Sequence, residues 1–61
     1  MQRGQRVRVR LMGGSEAIRR VWSEEPYGVL VCTDEGYQRA VTEQGEPVTI
    51  PFPKEDVAPV Q

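Results

Sequence analysis

The chain has 61 residues, with eight Lys and Arg against nine Asp and Glu, one Cys, one Trp and no His. That length suits one small domain, 1–61, with no room for a separate substrate or dinucleotide-binding unit. Composition excludes a disulfide framework, because Cys32 has no partner, and it excludes a four-ligand zinc site and any histidine-dependent triad. The longest apolar run is Val29-Leu30-Val31-Cys32, far short of the ~20 residues a membrane helix needs. No apolar signal core follows Met1-Gln2-Arg3-Gly4, and an unpaired thiol fits a reducing compartment, so a cytoplasmic protein is expected. The near-zero net charge hides an asymmetry. Residues 1–20 carry six arginines against Glu16, which is +5, and residues 21–61 carry Arg39 and Lys54 against eight acids, which is −6.

The first element is the clearest. Val7, Val9 and Leu11 alternate with Arg6, Arg8 and Arg10, the period of a half-buried strand. Gly13-Gly14-Ser15 breaks it. Residues 17–23 follow with imperfect alternation. Ala17, Arg19 and Val21 fall on one face, Ile18 and Trp22 on the other, and the β-branched and aromatic members favour a strand over a short helix. After Glu25-Pro26, Val29-Leu30-Val31-Cys32-Thr33 reads as a central strand. Asp34-Glu35-Gly36 reads as a hairpin turn into a strand over Tyr37–Thr42. Gln44–Pro47 is a further turn, Val48–Ile50 a short strand stopped by Pro51, and Pro51-Phe52-Pro53 an edge or connector. Lys54–Val57 predicts one tight helical turn, blocked by Pro59, before a brief pairing of Val60 with the first strand. The expected core is Val7, Val9, Leu11, Ile18, Val21 or Trp22, Val29, Val31, Ala40, Val48, Ile50, Phe52 and Val57.

Five short strands with turns every 7–10 residues and no long helix predict an all-β fold, a small five-stranded antiparallel barrel with a short 3-10 turn near the C-terminus. Two stretches carry a resemblance. The opening Gly4-Gln5-Arg6-Val7-Arg8-Val9 and the closing Ile50-Pro51-Phe52-Pro53-Lys54-Glu55-Asp56-Val57-Ala58-Pro59-Val60 resemble the SH3-like small barrels, in which a short turn sits just before the last strand. The resemblance implies a fold rather than a function. The chain lacks the paired tyrosines and long acidic first loop of the peptide-binding SH3 domains. It is also superficially similar, at Gly4-x-Arg6-Val7-Arg8 and Glu35-Gly36-Tyr37, to the tetrameric trimethoprim-resistant dihydrofolate reductases. Where that family has its Val-Gln-Ile-Tyr active-site strand, this chain has Val48-Thr49-Ile50-Pro51, so the activity does not carry over.

The candidate binding residues are Arg6, Arg8, Arg10 and Arg39, with Trp22, Tyr27 and Tyr37. Arg6, Arg8 and Arg10 project from one face of the first strand, as phosphate contacts require, or else pair across strands with acids. If three aromatics converge beside Glu24 or Asp34 they form a cage for a methylated ammonium or a stacking platform for bases; otherwise they are core and turn residues. Cys32 lies in an apolar run with no histidine beside it, so it reads as a structural thiol. No catalytic residue, cofactor or metal is expected. The expectation is a non-enzymatic interaction module that binds a protein partner or a second copy of itself. The alternative is a nucleic-acid-binding barrel using the arginine face, and a third option is a catalytic site assembled only at an oligomer centre.

Overall fold

Alternation of valine and arginine makes β1, Arg6–Arg10, a strand with Val7 and Val9 fully buried and the arginines exposed. The structure, a computed structural model, describes residues 1–60. β1 pairs antiparallel with β2, Glu16–Glu25, in a register that sets Val7 opposite Arg19 and Arg6 opposite Arg20. Residues 17–23 are therefore strand, and Ala17, Arg19 and Val21 share the inner face with Val7 and Val9. The register shifts between Val21 and Ser23, so Trp22 is the extra residue of a β-bulge. A bulge bends its strand and increases the local twist, and here it turns the Trp22 ring toward the N-terminal arm. β3, Gly28–Cys32, pairs with β2 and has Val29 and Val31 buried.

Chain 37–42 differs from the expected strand. Asp34–Glu43 is an α-helix, α1. Its start is written locally. Thr33 is the N-cap, and its hydroxyl accepts from the Gly36 N–H at 2.9 Å. Asp34 and Glu35 supply the first-turn acids that favour a helix N-terminus. Gln44 closes the other end in the left-handed conformation, its N–H donating to the Ala40 carbonyl. Tyr37, Ala40 and Val41 lie at i, i+3 and i+4, a helical spacing, and Ala40 is buried while Val41 faces out. The hairpin turn expected at Asp34–Gly36 is thus the helix's first turn.

The chain returns as β4, Ile50–Phe52, which pairs with β3, then a 3-10 turn, Lys54–Asp56, then β5, Val57–Pro59, which pairs with β1. The result is one antiparallel sheet in the order β4-β3-β2-β1-β5. β4 starts two residues later than the strand expected at Val48–Ile50 and contains Pro51. The core is Val7, Val9, Val21, Val29, Val31 and Val57, with Leu11, Ala17 and Phe52 packed against it. Ile18, Val48 and Ile50, expected inside, are exposed. Ile18 lies opposite Arg8 on the outer face, and Val48 falls in the connector after α1.

Both edges of the sheet are blunted. Antiparallel pairs alternate between hydrogen-bonded and non-bonded. Pro51, opposite Leu30, cannot donate, so that pair is the non-bonded one and Pro51 turns its donorless nitrogen to the free edge of β4. On β5, Val60 donates to the Arg6 carbonyl, so the same alternation puts Ala58 and Val60 toward β1 and Val57 and Pro59 toward the free edge. The Val57 N–H is already given to the Lys54 carbonyl, and Pro59 has none. Neither edge strand offers a free outward N–H, which is how natural sheets avoid adding a strand from another chain.

Candidate functional site

The arginines of β1 do project together, but most meet acids. Arg6 Nη2 donates to Asp34 at 3.2 Å, and Arg8 Nε stands 3.5 Å from Glu16. Arg39 is on α1 rather than on the sheet and pairs with Glu35 one helical turn back at 3.6 Å. Arg10 has no carboxylate within ion-pair distance among the described residues. Asp34, at the first position of the helix, also accepts from Arg20 Nε at 2.9 Å. That carboxylate therefore holds two guanidinium groups and fixes the start of α1 against β1 and β2.

The aromatics divide. Trp22 and Tyr37 pack edge to face, centroids 6.1 Å apart, while Tyr27 lies in the β2–β3 turn, 70% exposed. The chain's own cations stand at the two packed rings. The Arg3 guanidinium lies 4.2 Å from the Trp22 ring centroid, and that of Arg20 lies 5.6 Å from Tyr37. Arg3 Nε also donates to the Trp22 carbonyl, and Arg20 Nη1 to the Gly4 carbonyl. These contacts fasten the N-terminal arm to the bulge and to the helix. Glu24 completes the fastening. It takes the Met1 ammonium at 2.9 Å and Lys54 Nζ at 3.5 Å. The hydrogen bond from the chain's N-terminal ammonium, that group's charge and then Lys54 hold the Glu24 carboxyl below the usual range.

The opening in the fold lies elsewhere, beside α1. A cleft of about 420 Å³ runs between the helix, the connector after it and the strands β3 and β4. Val31, Cys32, Ala40, Pro47, Val48 and Ile50 give it apolar walls; Arg19 and Arg39 face Glu35, Glu43 and Glu46 around it. Val48 is 89% exposed and Ile50 56%. Arg19 reaches the cleft from the inner face of β2, with Nη1 donating to the Ile18 carbonyl and no carboxylate partner among the described residues. Burial pushes the Cys32 thiol above its ordinary value; Arg20 works against this and Asp34 with it. The thiol is therefore neutral near pH 7, and Sγ donates to the Arg20 carbonyl at 3.7 Å.

Sequence reading does not find this cleft, because it depends on α1. Its signals were available: Arg19 alternates inward with Ala17 and Val21, and Thr33 precedes two acids as an N-cap does. Among the described residues no cluster of three or more His, Cys, Asp or Glu could hold a metal ion, and no helix is long and apolar enough to cross a membrane. No protein-family model, curated protein or solved structure matches the chain.

Proposed function

We propose that this chain is a small non-enzymatic interaction module of the SH3-like barrel class, and that it binds a polypeptide in the cleft between α1 and β4. The observation that carries the proposal is the cleft itself, an apolar-walled opening of about 420 Å³ with Val48 and Ile50 exposed at its lip and charges of both signs around it. An apolar centre with a polar rim is the anatomy of a protein interface. The barrel class is supported by the 3-10 turn directly before the last strand and by the return of that strand to β1. A non-enzymatic role is supported by the state of Cys32, the one thiol, which is neutral and inward. Blunted edges mean that a partner docks through side chains rather than by adding a strand.

Selection of a random peptide library against the chain, counter-selected with Val48→Glu, tests this reading. Clones that bind the parent and not the variant are expected. A selection yielding only clones indifferent to Val48→Glu refutes the cleft as the binding surface.

The alternative, nucleic acid on the outer face of β1, draws on Arg10, which has no ion pair among the described residues, and on the projection of Arg6, Arg8 and Arg10 to one side. It predicts retention on a polyanion column that falls steeply with salt and is lost in Arg8→Glu. No retention at low salt sinks it.

A further inference from the structure

We infer that the polypeptide taken by the α1–β4 cleft is a second copy of this chain, docked about a two-fold axis; this rests on the interaction-module reading above. A two-fold axis sets one patch against itself, so a patch that carries both signs pairs its own cations with its own acids across the axis. The cleft carries both, Arg19 and Arg39 against Glu35, Glu43 and Glu46. Arg19, Glu43 and Glu46 enter no ion pair among the described residues, so a free cation and two free acids flank one apolar floor. A nucleic-acid surface would be of one positive sign, and a surface for a basic peptide of one negative sign. Here residues of both signs line the cleft together with the exposed Val48 and Ile50.

The rest of the fold limits how copies can meet. With both sheet edges closed to added strands by Pro51, Pro59 and the engaged Val57 N–H, copies cannot line up edge to edge. A closed pair through side chains remains. The size is suitable. A specific interface at the small end buries roughly 600 Å² on each partner, about one-seventh of the 4376 Å² that this chain exposes. Val48 and Ile50 at the lip of the cleft, and Val41 on α1, are the exposed apolar residues from which such a face is drawn.

Sedimentation equilibrium from micromolar to millimolar chain reads the outcome. The parent is expected to pass from monomer to dimer. Val48→Glu, at an exposed position that folding tolerates, weakens the dimer at least about tenfold. The charge pattern gives a sharper arm. Arg19→Glu/Arg39→Glu leaves the rim all acidic, and Glu43→Arg/Glu46→Arg leaves it mainly basic. Each variant alone is expected to be monomeric, and the two mixed are expected to form a heterodimer. Circular dichroism verifies that each is folded, and if either is not, Val48→Glu alone decides. A parent that stays monomeric at millimolar concentration overturns the homodimer, as does a dimer indifferent to Val48→Glu and to the charge exchange. In the peptide selection, cleft-dependent clones together with a monomeric parent leave the interaction module standing without the second copy. Absence of such clones with a monomeric parent overturns both.

Discussion

Gly28 opens β3 with φ at +156°, and a Cβ placed there lies 2.5 Å from the Phe52 carbonyl oxygen, 3.2 Å from its carbon and 3.7 Å from Pro53 Cα. Ordinary contact begins near 3.4 Å, so in Gly28→Ala the β4 backbone must retreat by about 0.9 Å, which is 3.4 minus 2.5. The obstacle is main chain, which no rotamer change relieves. Backbone strain for a non-glycine residue costs about 1–3 kcal/mol, and overpacking costs a similar ~1–3 kcal/mol. Alanine also stiffens the unfolded chain, which offsets about 0.4–1 kcal/mol. Taking the middle of each range, the net loss is about 3 kcal/mol against a total of roughly 3–9 kcal/mol for a chain of this length. At about 4–8 °C per kcal/mol, Tm falls by roughly 12–24 °C, read by thermal unfolding in circular dichroism. Gly13→Ala is the control. Its φ is also positive, at +88°, but nothing lies within 4 Å, so it carries strain alone, about 1–2 kcal/mol. Equal losses in the two variants, or a Gly28→Ala melting point within about 2 °C of the parent, would refute the close approach of β4 to Gly28.

Other outcomes follow from the charge contacts. Asp34→Ala removes two half-exposed ion pairs and a helix N-terminal charge; at about 0.2–1 kcal/mol for each such pair, the loss is about 1 kcal/mol, and amide exchange should quicken in α1 before it does in β1–β3. Because the folded Glu24 carboxyl titrates low, its tie to Met1 and Lys54 is present above the unfolded carboxylate pKa and is lost as pH falls through the folded value. Glu24→Gln should therefore flatten the acid limb of the stability profile. Cys32 has the opposite sign. Its folded thiol pKa is raised, so its contribution is complete below the unfolded value of about 8.5 and is lost as pH rises through the folded one. A disulfide reagent at mildly alkaline pH should modify Cys32 at least about tenfold more slowly in the native protein than in urea.

The strands of this fold were legible where one face alone is buried. Alternation of Val7 and Val9 with arginines predicts β1, and the β-branched and aromatic members of 17–23 predict β2, but the imperfect alternation there puts Ile18 in the expected core when Ala17, Arg19 and Val21 form the inward face. The 3-10 turn was legible from Lys54–Val57 hemmed in by prolines. α1 was hidden because its ten residues bury only Ala40 fully, so the hydrophobic signal is weak. Gly36 suggests a hairpin, yet it sits in the first helical turn, where its N–H meets Thr33. The arginine stripe was legible as a projection, but its partners were not: Asp34 reaches Arg6 and Arg20 only because it starts a helix. Misplacing α1 also hid the cleft, and with it the reason that Val48 and Ile50 stand outside.

The most direct test of the account is to record amide resonances of the chain while diluting it from millimolar to micromolar concentration. A dimer closed through the cleft gives shifts confined to it, at Arg19, Val31, Cys32, Arg39–Glu43 and Glu46–Ile50, with the outer face of β1 unchanged. A spectrum that does not move on dilution, or one that moves along Arg6–Arg10 and not around Val48, would contradict it.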